Sequence, residues 1–172
     1  MSAGAVRLRP LAPADVAVLD AWEREPGRRS EFADFGLPPR SHAALLDRAR
    51  LEAGFGFLVV EEAGRVAGSV SWQPIAYGPN PQSRAWAIGI ELDTDFCGRG
   101  IGTCAQRLLA DMLFATTDAA RVEATTDVTN RAEQRALEKA GFQREGVLRS
   151  AQWRRGGWHD LVAYARLRGD RP

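Results

Sequence analysis

The sequence predicts a mixed α/β fold (α+β in its strand pairing): one domain over residues 1–172, with a core from about residue 6 to about residue 167. Three observations predict it. The elements run strand, two helices, three strands, helix, strand, helix, two strands, which makes about seven strands and about four helices. Two short glycine turns join neighbouring strands as antiparallel hairpins. An amphipathic helix between two central strands demands a parallel crossover.

Val6 to Arg9 alternates apolar and basic residues and reads as the first strand, stopped by Pro10. Pro13 opens a helix carried by Val16, Leu19, Asp20 and Glu23, and Pro26-Gly27 ends it. After a loop to Pro39, Ser41 is the expected N-cap of a second helix through Ala44, Leu45, Arg48 and Leu51, stopped by Gly54. Phe55 to Glu61 and Arg65 to Trp72 form a hairpin about Ala63-Gly64, and Pro74 to Ser83 reads as a loop. Trp86 to Leu92 is the next strand, and Asp93 to Gly102 a glycine-rich connection. Thr103 to Phe114 is a helix with an apolar stripe of Leu108, Leu109, Met112 and Leu113. Arg121 to Thr126 is a short strand, and Asn130 to Ala140 a helix closed by Gly141. Strands Gln143 to Gln152 and Trp158 to Leu167 flank a turn at Arg155-Gly156-Gly157.

Composition narrows the function classes. The chain is 45% hydrophobic and 26% charged, with a formal net charge of +1, so it lacks the positive excess of a nucleic-acid binder. Lys139 is its only lysine. No signal-peptide-like run opens the sequence, and no stretch approaches the ~18 apolar residues of a membrane span. Cys97 and Cys104 have no His or further Cys near them, so neither a metal site nor an oxidising compartment is expected. The expectation is a cytoplasmic protein, monomer or homodimer.

The chemistry points to one segment, Leu92 to Thr103. A strand enters a loop bearing Gly98, Gly100 and Gly102 at alternate positions, and the loop enters a helix. Glycines let backbone approach a ligand closely, and the first N–H groups of a helix lack partners at the positive end of its dipole. That combination suits a phosphate or diphosphate, or serves only to start a helix. A P-loop needs Gly-Lys-Ser/Thr and is excluded, as is a dinucleotide fingerprint with its G-x-G-x-x-G spacing.

Arg99-Gly100-Ile101-Gly102 resembles the acyl-CoA motif of the GNAT superfamily of N-acetyltransferases, written Q/R-x-x-G-x-G/A, with Cys97 at its first position. Asn130-Arg131-Ala132-Glu133, followed by Glu138-Lys139-Ala140-Gly141-Phe142, is similar to the family's second helix motif. The C-terminal run through Trp158-His159-Asp160 to Tyr164 resembles the ribosomal-protein N-terminal (RimJ/RimL-like) and spermidine acetyltransferases. The resemblance spans Val6 to Leu167. It implies the GNAT fold and acetyl-CoA as co-substrate without a metal. Leu92, Cys97, Gly98, Arg99, Gly100, Ile101, Gly102 and Thr103 would bind the coenzyme, and Asn130 its pantetheine arm. The implied activity is direct transfer of acetyl to a primary amine, on a small molecule or a protein N-terminus, with no nucleic-acid or membrane partner. A different acyl-CoA, or a catalytically idle CoA-binding domain, are the rival readings.

Transfer needs a neutral amine, a route for its proton and donors for the oxyanion. The family's usual acid, a Tyr seven residues after the Asn, is Leu137 here. The Ser of the ribosomal type is Glu133, and a Glu found beside the aromatic at Trp153 is Gln152. The candidates are therefore Glu91, on the strand flanking the acetyl group, and Glu133, which also suits its helix dipole as an acid in the first turn. Asp127 is a third candidate, or else a group that bonds in the turn before Asn130, and His159 reads mainly as structural or solvent-facing. Trp22, Phe32, Phe35, Tyr77, Trp86, Trp153 and Trp158 are the aromatics available to an acceptor cleft. Glu23, Glu25, Glu31 and Asp34 would either attract a cationic amine or be balanced by Arg24, Arg28 and Arg29.

Overall fold

The computed structural model describes residues 5–25, 28, 30–48 and 54–170. Its strands are β1 (Val6–Arg9), β2 (Gly56–Glu62), β3 (Arg65–Ala76), β4 (Arg84–Leu92), β5 (Arg121–Asp127), β6 (Gln143–Arg154) and β7 (Gly157–Leu167). They form one seven-stranded sheet in the order β1-β2-β3-β4-β5-β7-β6. Helices α1 (Pro13–Arg24), α2 (Ala43–Arg48), α3 (Ile101–Thr116) and α4 (Arg131–Lys139) cover it. Alternation along β2 divides the helices between two faces. Val60 joins Leu109, Leu113 and Leu137 under α3 and α4. Its neighbour Val59 packs with Leu19 and Phe57 under α1.

Every strand pair is antiparallel except β4–β5. There the parallel ladder holds only Trp86↔Val122 and Ala87↔Glu123. Past it each strand keeps its outer neighbour, β4 to Leu92↔Gly68 and β5 to Asp127↔Leu161. The sheet therefore opens as a V between Ile88–Leu92 and Ala124–Asp127. Helix α3 begins beyond the end of β4 and α4 beyond the end of β5, so both N-termini stand at the open end.

Two element boundaries correct the sequence reading. The segment read as a loop from Pro74 to Ser83 starts three residues later than expected: β3 continues through Pro74 to Ala76, with Pro74 opposite Trp86, and β4 begins at Arg84. Proline is tolerated because β2 starts at Gly56, opposite Trp72, so that among the described residues β3 has no ladder partner on that side beyond this point. Helix α3 starts at Ile101, so Ile101 and Gly102 occupy its first turn, and it runs on to Thr116. The last hairpin turns on two residues, Arg155 and Gly156, both at positive φ (50° and 78°) as a type I′ turn requires. Ser41 lies just ahead of α2, its Oγ accepting the Ala43 N–H at 3.4 Å. The expected stop at Pro26-Gly27 and the extension of the second helix to Leu51 lie outside the described residues.

Candidate active site

The loop after β4 is fixed at its entry. Asp93 Oδ1 accepts the Asp95 N–H at 2.8 Å, while Oδ2 is held by the guanidinium of Arg28. A turn of 3-10 helix, Thr94–Phe96, follows, and the Cys97 N–H closes it on the Thr94 carbonyl at 3.2 Å. That spends the Cys97 amide. Beyond it, the N–H groups of Gly98, Arg99, Gly100, Ile101, Gly102 and Thr103 have no acceptor among the described residues; Cys104 is the first to bond back, to the Gly100 carbonyl at 3.1 Å. Gly98 and Gly100 are left-handed (φ +70° and +82°), and a Cβ on either would stand in open space. A run of unpaired donors with nothing packed over it, at the N-terminus of a 16-residue helix, fits a diphosphate.

The side chain of Arg99 turns away from the run to which its N–H belongs. Arg99 Nη2 sits 2.6 and 2.8 Å from the two carboxylate oxygens of Glu62, and its guanidinium stacks 5.4 Å from the Phe96 ring. Its side chain anchors the loop to the end of β2. Cys97 is exposed, and burial of its thiol, reinforced by Asp93 and Glu133, pushes the thiol pKa up, so the sulfur stays protonated.

The inner edge of β4 supplies a second row of backbone groups. The Asp93 N–H bonds the Ala67 carbonyl at 3.0 Å, so alternate residues Leu92, Ile90 and Ile88 turn their N–H and C=O toward β5. The Ile88 N–H closes the last parallel pair, Ala87↔Glu123; past it the ladder has ended, leaving the N–H and C=O of Ile90 and Leu92 on the wall of the gap. Leu92 and Ile90 pack their side chains toward Gly102 on the α3 face.

Glu91 consequently points to the opposite face. It borders a recess with Leu19, Trp22, Glu23 and His42. The guanidinium of Arg40 reaches both carboxylates, 3.1 Å from each. Glu133 lies on the α3 side. Its N–H is capped by Asn130 Oδ1 at 3.2 Å. Burial pushes its pKa up to about 7. Asn130 is therefore the N-cap of α4, one residue before the helix proper. The two candidate carboxylates flank the sheet on opposite faces.

Asp127, at the end of β5, is fully engaged. Oδ1 accepts the Thr129 N–H and Oγ at 2.7 and 2.6 Å. Oδ2 meets Arg154 and, at 3.0 Å, His159 Nδ1. Burial alone would raise its pKa; the Thr129 and Arg154 bonds overcome this and hold it at about 2. Arg154, 3% exposed, also donates to the Phe32 carbonyl at 3.3 Å and covers the Phe32 ring. The 30–34 segment is thereby pinned to the β6–β7 hairpin, helped by Arg155 and Glu31 at 3.0 Å.

The aromatics separate. Trp22 borders the recess. Trp86 packs in the core and donates to Thr117 Oγ at 3.1 Å. Tyr77 bonds Glu123 at 2.5 Å. Trp153 and Trp158 form an exposed edge-to-face pair at 5.4 Å. Among the expected acids, Glu23, Glu25 and Glu31 are met by Arg40, Arg28 and Arg155, while Asp34 accepts the Gly36 N–H at 3.1 Å. Arg29 lies outside the described residues. Sequence reasoning missed Arg154, Arg40 and Gln106; of these, only Gln106 left a signal, a polar residue on the apolar face of α3. Among the described residues no helix is long and apolar enough to cross a membrane, and no group of three His, Cys, Asp or Glu could hold a metal.

Comparison with known proteins agrees with this geometry. The family model described as an acetyltransferase (GNAT) domain matches residues 5–143. YjcK of Bacillus subtilis (strain 168), named as a probable N-acetyltransferase, is 35% identical over 119 residues, which are 69% of this chain and 64% of YjcK. The match thus spans less than two thirds of that relative. Among solved structures, Mycobacterium smegmatis RimJ in complex with CoA-disulfide superposes with a TM-score of 0.78 at 23% identity, over 95% of this chain and 82% of that one. Vibrio cholerae spermidine N-acetyltransferase in complex with CoA and spermine gives 0.79 at 18% identity, over 96% of each. At these identities the two structures speak for the fold.

Proposed function

The chain belongs to the acetyltransferase (GNAT) domain family, and from that premise we propose that it transfers acetyl from acetyl-CoA directly to a primary amine. The observation that carries the reading is the run of unpaired N–H groups from Gly98 to Thr103 beside the opening between β4 and β5. Those amides take the diphosphate of the coenzyme. The inward-facing amides of β4 pair with the pantetheine arm and polarise the thioester oxygen, and the Asn130 side-chain amide reaches the same arm.

The carboxylates then divide the proton work. An amine with a pKa near ~10 arrives protonated and must lose a proton before attack. Glu91, on the α1–α2 face, takes that proton. The C–N bond forms as the C–S bond breaks, the nitrogen releases its second proton to water, and the thiolate that leaves needs a proton. Glu133, in the position of the ribosomal-type serine, holds one at neutral pH because burial keeps its carboxyl half protonated near pH 7. The acceptor, a small-molecule amine or a protein N-terminus, enters from the recess beside Trp22. The setting we propose is cytoplasmic.

Thiol release from acetyl-CoA tests the reading, with spermidine, free amino acids and peptides bearing N-terminal Ser or Ala as acceptors. Release above the rate of acetyl-CoA hydrolysis with at least one acceptor is expected. Calorimetric absence of CoA binding, together with no release from any acceptor, would overturn it. Succinyl-CoA in the same assay fixes the acyl preference.

A further inference from the structure

The recess on the α1–α2 face holds a buried histidine with one ring nitrogen to spare. His42 stands just ahead of α2 and is 6% exposed, its ring 5.9 Å from that of Phe57 on β2. Asp20 of α1, itself buried, meets it twice: Oδ1 lies 2.8 Å from the His42 backbone nitrogen and 2.8 Å from Nδ1. Ser41 Oγ donates to the other oxygen at 3.3 Å. Burial alone would raise the Asp20 pKa; the His42 bonds overcome this and hold it below the ordinary range, so Asp20 is a carboxylate and only accepts. Nδ1 must therefore donate, which leaves the lone pair of the neutral ring on Nε2. Nε2 has no hydrogen-bond partner among the described residues, and His42 borders the recess that also holds Trp22, Glu23 and Glu91. A buried polar atom without a partner is an exception that packing does not account for.

We propose that His42 is a further base of the transfer, its Nε2 receiving through water the proton that the acceptor nitrogen releases as the C–N bond forms. The inference rests on the reading of this recess as the acceptor's entrance. It completes the proton balance. Glu91 already carries the proton of the incoming ammonium, so the second one needs another home. It leaves the nitrogen for a water in the recess, and that water gives a proton to Nε2. The imidazolium so formed faces the Asp20 carboxylate and returns its proton to solvent before the next turnover. Asp20, which acts only through His42, is the positioning residue that fixes its tautomer. The other charged groups at the recess are Glu23 of α1, Glu91 and Asp93 of β4 and its loop, and Arg28. Arg40 spans Glu23 and Glu91, and Arg24 lies 3.6 Å from Asp20.

The test uses the full chain and its variant His42→Asn, whose side-chain amide nitrogen takes the place of Nδ1 and keeps the Asp20 bond while Nε2 is lost. Acetyl transfer to the most active amine of the panel is followed across pH at saturating acetyl-CoA, with CoA affinity read by calorimetry. The variant is expected to bind CoA as the native protein does and to lose about 100-fold in kcat. Native kcat falls on the acid side as Nε2 takes up a proton; in His42→Asn that limb should move, leaving Glu91 to shape it. A second measurement needs no variant to fold: the 15N shifts of the neutral His42 ring in the native protein should show Nδ1 protonated and Nε2 bare. A folded His42→Asn with undiminished kcat and an unmoved acid limb, or a native ring protonated at Nε2 instead, overturns the proposal. Transfer by the native protein to no amine, with Nδ1 protonated as expected, overturns the acceptor reading and the base with it.

Discussion

At the residue scale, Glu133 and Asp127 show how partners set a carboxylate's charge state. Both are largely withdrawn from water, yet one is pushed up to about 7 and the other held at about 2. The difference is partners: Asp127 has Thr129, Arg154 and His159, whereas no cation meets the Glu133 carboxyl among the described residues. For Glu133, folding favours the protonated form, so its contribution to stability shrinks as pH rises from the ordinary carboxylate range through about 7. Glu133→Gln should therefore raise Tm more at pH 8 than at pH 5 while lowering kcat by roughly 10²-fold or more. Scanning calorimetry at both pH values checks the first, and steady-state rates the second. Asp127 has the opposite sign. Its contribution is complete above the ordinary range and fades as pH falls toward about 2. Asp127→Asn strands the buried Arg154 guanidinium and should cost about 3–5 kcal/mol, read by denaturant unfolding. Sequence could name both residues, but not tell them apart. The group that silences Asp127 comes from Arg154, 27 positions away, and Arg154 in turn meets Phe32 across 122.

At the scale of elements, the loop from Cys97 to Thr103 was legible because its chemistry is backbone chemistry and its residues are consecutive. The opening of β4 from β5 was not, since no local pattern in either strand announces where a parallel partner departs. Nor was the true length of β3, because a proline reads as a stop unless the absence of β2 beside it is known. Glycine at 100 is demanded by its positive φ, while Gly102 is ordinary helix, where a Cβ would lie 3.4 Å from Leu92 Cδ1. Gly102→Ala should therefore keep CoA affinity near the native value. Gly100→Val should weaken it by at least tenfold, because a β-branched residue at positive φ must move the amides on either side. Isothermal titration with CoA distinguishes the two.

For the whole molecule, a two-layer helical cover over a mixed sheet followed from element order alone, since a helix placed between the central strands forces the crossover. What the order leaves open is how the two halves of the sheet adhere. Only two ladder pairs bridge β4 and β5, and α3 and α4 span the rest from one side. The two halves of the sheet therefore meet at a narrow seam. Deuterium should enter the amides of Ile90 and Leu92 far sooner than those of β2 or β7. A ligand whose own amides lie in the seam serves as a borrowed strand, slowing that exchange and splinting the halves. At a hundred times its Kd it should add about 2.7 kcal/mol to the unfolding free energy.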